Sequence, residues 1–288
     1  TMEYDALGRK TAMTDPDMGS WAYRYDANGN LIKQRDARHQ AICFYYDSLN
    51  RLTGKTYHSN QASLDTLTCT GAYSVTYTYD QGGAAAHAIG RRTAMSNVSG
   101  STIWQYDLRG RVIMESKTIT NGGTFTTTYQ YNDLDQVTLI TYPDGENVAQ
   151  TYNPQGLSKT LNGTHTYVNA ALYNALGQPR TLTLGNDLTT AYTYAATNFR
   201  LQRLWVGNLL DLNYTYDAVG NVTTLIDVTG NETQTFTYDA LDRLIEAGTG
   251  SGGGAGANYE TYAYDAIGNL KLKNGVVYTY TDGTNPPT

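Results

Sequence analysis

The sequence predicts an all-β fold, an array of antiparallel β-hairpins with little or no helix. Three observations carry this. A short phrase, Tyr-Asp-x-x-Gly-(Arg/Asn), recurs along the whole chain. The fourth residue after each anchor tyrosine is restricted to Gly, Asn or Asp. The flanking stretches alternate with a period of two, and none sustains the 3.6-residue period of a helix. Self-similarity at a fixed period decides architecture before any local propensity does.

The anchors are Tyr4, Tyr25, Tyr46, Tyr79, Tyr106, Tyr131, Tyr152, Tyr173, Tyr194, Tyr216, Tyr238 and Tyr264, and Tyr280 opens a further unit. Five intervals are 21 residues and two are 22. The position four residues on holds Gly8, Gly29, Asn50, Gly83, Gly110, Asp135, Gly156, Gly177, Asn198, Gly220, Asp242 and Gly268. These three residue types best tolerate a left-handed backbone, so the position is expected to have φ > 0. The residue directly after the tyrosine is Asp or Asn in every unit except that of Ala195. A short carboxylate or amide there can accept from N–H groups two residues on and close a turn. Together they predict a type I turn followed by a left-handed residue. The expected turn motif is carried by Tyr25, Asp26 and Gly29; Tyr46, Asp47 and Asn50; Tyr106, Asp107 and Gly110; Tyr216, Asp217 and Gly220; Tyr238, Asp239 and Asp242; and Tyr264, Asp265 and Gly268. Asn50 and Asp242 occupy the left-handed slot at a strain that glycine would relieve, so replacing either by Gly is expected to be neutral or mildly stabilising.

Before each turn the chain alternates, as in Trp21-Ala22-Tyr23-Arg24-Tyr25, and nine anchors have an aromatic two residues earlier. After it comes a second alternating stretch, such as Val222-Thr223-Thr224-Leu225-Ile226. Return turns follow, as at Tyr142-Pro143-Asp144-Gly145. Each unit therefore reads as two strands and two turns. The spacing stretches between Tyr46 and Tyr106 and between Tyr238 and Tyr264, the latter through the Gly-rich loop Gly248 to Gly256. The phrase continues on both sides, so residues 1–288 read as a single array of about 12 units with longer hairpins at 46–106 and 238–264. The first residues lie three positions before a repeat turn, the last follow an unfinished unit, and neither end reads as a cap. The array is expected to be a segment of a larger protein.

Tyrosine is the compositional outlier, with 26 against 4 Phe and 3 Trp, which suits half-buried strands. The net charge of −6 with scattered basic residues argues against nucleic acid. No apolar run is long enough to span a membrane. Cys43 and Cys69 read as two buried small hydrophobes, or as one disulfide if the protein is secreted; a metal site would need more ligands nearby. His39, His58, His87 and His165 fall at unrelated phases and read as loop or surface side chains. The Asp row could suggest calcium, yet its spacing fits turn capping better, and no metal or cofactor is implied. Sequons at Asn97, Asn162, Asn213, Asn221 and Asn231 matter only in a glycosylating host. The aromatic rows could stack on sugars, but packing between neighbouring strands accounts for them.

The phrases Tyr25-Asp26-Ala27-Asn28-Gly29-Asn30-Leu31 and Tyr238-Asp239-Ala240-Leu241-Asp242-Arg243-Leu244 resemble the YD repeats of the rearrangement-hotspot (Rhs) family, and the resemblance runs from Tyr4 to Tyr280. The family includes bacterial polymorphic toxins, shell components of insecticidal toxin complexes and teneurins. The resemblance implies a long sheet that spirals into a hollow shell or tube, enclosing a C-terminal toxic domain in the toxins. Asp15-Pro16-Asp17-Met18-Gly19 shares letters with the family's plug motif but lies in an ordinary return turn, so no protease role falls on Asp15 or Asp17. The expected role is a non-catalytic structural region of a large extracellular or cell-surface protein. Its expected partners are further repeats, plug or toxin domains of the same polypeptide. The alternative is an adhesion or glycan-binding array that associates end to end.

Overall fold

A computed structural model describes residues 1–70, 72–249 and 259–280. Most of the loop from Gly248 to Gly256 lies outside these residues. The described chain is strand and turn throughout, with a single 3₁₀ turn at Ala84–Ala86. It groups into two compact units, residues 1–145 and 146–279.

In the first unit, twelve strands run from Met2–Tyr4 to Val137–Thr141, and each pairs antiparallel with the next in chain order. In the second, thirteen strands from Asn147–Tyr152 to Val276–Val277 do the same. Local pairing is the whole topology of each unit, since among the described residues each strand pairs with its neighbour in the chain. The chain is an all-β array of antiparallel hairpins.

The hairpins share a detail that alternation alone does not show. In the first repeat the Asp5 N–H donates to the Arg9 carbonyl and the Gly8 N–H to the Asp5 carbonyl, closing a three-residue loop. The register then slips by one residue, so that Tyr4 faces Lys10 while Glu3 faces Ala12. The same slip follows Tyr25, Tyr46, Tyr79, Tyr106 and Tyr131. It recurs at Tyr152, Tyr173, Tyr194, Tyr216, Tyr238 and Tyr264. An extra residue on one strand bends it and raises the local twist.

Most strand residues are only half-buried, because neither face has a second layer packed on it over most of its length. The one buried cluster among the described residues is Ala41, Cys43, Leu64 and Leu67. It forms where residues 59–70, which contain no strand, lie over the sheet face of the first unit. Cys43 and Cys69 are bonded to each other across this contact, with Cα atoms 5.8 Å apart. The reading of two separate hydrophobes is thereby corrected: Cys43 points from its strand into the cover, and the cover supplies its partner.

Candidate functional site

The repeated feature that the fold builds is a clasp between successive repeats. Its first part is local. Asp47 Oδ1 accepts from the Leu49 and Arg51 N–H groups, at 2.9 Å each, and Oδ2 pairs with Arg51 Nε at 2.7 Å. Asp5 with Arg9, Asp107 with Arg111 and Asp239 with Arg243 repeat this arrangement. Where the partner is Asn30, Asn221 or Asn269, an amide takes the guanidinium's place against Asp26, Asp217 or Asp265. Asn132 and Asn174 pair likewise with Gln136 and Gln178. Backbone N–H groups converging on one carboxylate hold it ionised. Asp47 accordingly lies below the ordinary carboxylate range, chiefly through the Arg51 N–H, and Asp239 chiefly through the Arg243 guanidinium. For Asp26 the Asn30 amide is the main cause.

The second part joins repeats. Anchor tyrosines in both units donate a hydroxyl hydrogen bond of 2.5–2.9 Å to a carbonyl at the start of the preceding repeat's second strand. Tyr25 reaches Lys10, Tyr46 reaches Leu31, and Tyr216 reaches Leu201. Tyr4, in the first repeat, instead meets its own neighbour Met2 Sδ. Where an arginine follows the turn, it lies over the next anchor ring. Arg9 stacks on Tyr25, Arg51 on Tyr79, Arg91 on Tyr106, Arg111 on Tyr131, Arg200 on Tyr216 and Arg243 on Tyr264, at 4.5–5.7 Å. A cation over a ring face is attracted by the ring quadrupole. The same arginines donate onward, as Arg9 does to the Asp26 carbonyl and Arg243 to that of Asp265. Desolvation raises Tyr46 and Tyr238 above the usual phenol value, helped by the charges of Asp26 and Asp217.

The left-handed slot completes the clasp. Gly29, Gly110, Gly220 and Gly268 have φ of 88°, 84°, 121° and 100°. Asn50 and Asp242 are both at 60° and Asp135 at 63°. Their side chains are engaged. Asn50 Oδ1 accepts from the Asn28 and Asn30 amides, and Asp242 Oδ1 from Asn221. Asp135 takes both Arg109 and Arg111. These side chains receive the preceding repeat, so an exchange to glycine would give up those contacts.

Asn198 departs from the pattern. The left-handed residue in that repeat is Phe199, at φ 57°, and the Phe199 N–H closes the loop on the Ala195 carbonyl. Ala195 has no carboxylate to cap the turn, so the loop is one residue longer and Asn198 Oδ1 accepts from Arg200 instead. The Tyr79 hairpin carries a longer loop, in which Asp80 Oδ1 accepts from Gly90 at 2.6 Å.

Every charged member of the clasp is paired within it. Among the described residues no three His, Cys, Asp or Glu side chains are grouped as a metal site, and no helix is long and apolar enough to cross a membrane. The arrangement fastens one repeat to the next.

Fold and clasp together define a structural repeat protein. Residues 25–63 and 216–253 match the family model RHS Repeat. The fold is also that of solved toxin-complex structures. A crystal structure of TcdB2-TccC3-Cdc42 is 20% identical, with a TM-score of 0.78 over 97% of this chain. A crystal structure of TcdB2-TccC3 is 21% identical, with 0.78 over 94%. A Tc holotoxin pore of Photorhabdus luminescens is 20% identical, with 0.77 over 94%. The chain spans only 15–16% of the length of those proteins. No curated protein matches it.

Proposed function

We propose that this chain is wall material, a non-catalytic section of a hollow β-shell in a large exported Rhs-type protein, with the shell enclosing a toxic or other cargo domain of the same polypeptide. The observation that carries the reading is the clasp. It spends its hydroxyls, carboxylates and guanidinium groups on joining repeats, as a load-carrying wall requires. Likeness of fold to the TcdB2-TccC3 structures supports it. The Cys43–Cys69 bond supports an oxidising location outside the cytosol. Exposed apolar side chains at the hairpin tips, Leu7, Leu49, Leu108 and Leu134 in the first unit and Leu176, Val219, Leu241 and Ile267 in the second, suit packing by further repeats. Electron microscopy of the full-length parent tests this: a closed particle with internal density is expected, and a solid rod or an open fibre would overturn it.

A second reading, recognition of a neutral glycan, rests on a cavity of about 500 Å³ in the first unit, lined by Asp26, Asn30, Phe44, Tyr46, Asn50 and Tyr73. Rings beside amides suit sugars. Saturable oligosaccharide binding in calorimetry that is lost on Phe44→Ala would favour it over the wall alone.

A further inference from the structure

Residues 59–70 lie on the sheet as a peptide ligand would. Beneath them the strands Gly19–Tyr25, Leu31–Arg35 and Ala41–Tyr46 put Arg24, Lys33 and Arg35 on one face, since Arg24 faces Lys33 and Ala22 faces Arg35 across the ladder. Cys43 and Ala41 continue that face. Each cation is met by the cover. Asp65 takes Arg24 in a two-pronged pair at 2.8 and 3.0 Å. Lys33 Nζ donates to the Leu64 and Leu67 carbonyls at 3.1 and 2.8 Å. The Arg35 guanidinium donates to the carbonyls of Gln61 and Ala62, which leaves its Nε buried without an acceptor. Three cations therefore face one carboxylate, in a protein whose net charge is −6. The cover is fixed at one covalent point, and of its two sulfur-bearing residues Cys43 is fully buried while Cys69 is partly exposed.

We propose that residues 59–70 are a redox-released cover, and that opening the Cys43–Cys69 bond uncovers the Arg24, Lys33 and Arg35 strip as a docking site for an acidic peptide segment. The reductant is a dithiol. Its thiolate attacks the accessible Cys69 sulfur and Cys43 leaves as a thiolate. The second thiol of the reductant then displaces Cys69, also as a thiolate, and closes a cyclic disulfide. Two electrons pass from the dithiol to the protein, and the two thiolates take up the protons the reductant gives up. Carboxylates are the favoured occupant because a carboxylate already sits on Arg24, and because a second one would satisfy the Arg35 fork, Nε included, where two carbonyls do not.

The test compares the full chain before and after dithiothreitol, alongside Cys69→Ser. Chymotryptic cleavage within 59–70 is expected to rise by roughly tenfold or more on reduction while the far-ultraviolet β signal is kept, as local opening requires. Fluorescent poly-L-glutamate is expected to bind the reduced chain and Cys69→Ser, not the oxidised chain, and to bind several-fold more weakly after Arg24→Gln. Protection of 59–70 that survives confirmed reduction would overturn the proposal, as would loss of the whole sheet on reduction. Equal poly-glutamate binding in both redox states, or binding of heparin without poly-glutamate, would overturn the acidic-peptide site.

Discussion

Each clasp residue answers to a different partner, so single substitutions separate their roles. Tyr216→Phe removes a 2.8 Å bond to Leu201 and leaves that carbonyl without its donor. A cost of about 0.5–1.5 kcal/mol is expected in urea unfolding. Tyr4→Phe, whose hydroxyl meets the exposed Met2 sulfur and not a carbonyl, is expected to change stability by less than about 0.5 kcal/mol. Equal effects at the two sites would refute the inter-repeat latch. The left-handed slot offers a second contrast. Asn50→Gly relieves strain but releases two amides from the preceding turn. A net loss of about 0.5–1.5 kcal/mol is expected. Asn121 has φ 61° in a return turn, and its side chain makes no hydrogen bond among the described residues, so Asn121→Gly is expected to be neutral or slightly stabilising. A gain in stability at Asn50 would show that the amide contacts contribute nothing.

Among elements, the return turns carry their own constraint. Gly185 donates its N–H to the Tyr167 carbonyl, and a Cβ built on it would run into the Thr166 carbonyl oxygen. That neighbour is backbone and cannot rotate away. Gly185→Ala is expected to cost about 1–3 kcal/mol as overpacking, measured by thermal unfolding. Gly145→Ala is the control for strain alone, because it has φ 92° but open space around its Cβ position. A smaller loss at Gly185 than at Gly145 would mean that the close approach does not matter. The bulge after each anchor tyrosine belongs to the same scale. It shifts the second strand by one residue and so sets which side chain meets the next repeat.

At the scale of the whole molecule, the clasp is written in titratable groups, and pH should act on all repeats together. Asp5, Asp26, Asp47 and Asp239 are held below 3.8, so they stabilise the folded chain above that value and lose this as pH falls through their folded values. Tyr46, Tyr216 and Tyr238 are held above 10.0, so their contribution is complete below pH 10 and is lost as pH rises further. Melting temperature plotted against pH is expected to be flat between about pH 5 and 9 and to fall on both sides. A loss confined to the acid side would mean that the tyrosine hydroxyls do not need their protons for the latch. Because every connection is local, stability should also sum over repeats and their interfaces rather than reside in one core.

The sequence by itself determined the period, the strands, the turn and its Asx cap. Each of these is set within a few residues by backbone sterics and alternation, and a clash at φ > 0 needs no distant partner to be felt. It also showed where the pattern stretches, between Tyr46 and Tyr106. Only the tertiary structure decided what those residues meet. The tyrosine hydroxyl, the arginine after the turn and the Asn50 or Asp242 acceptor find partners roughly one repeat away, and that pairing depends on the bulge-shifted register. Phe199 took the left-handed place of Asn198 because Ala195 could not cap a tight loop. The same holds for Cys43 and Cys69. Their separation of 26 residues is silent about pairing; a segment without strand had to fold back on the sheet before the two sulfurs could meet.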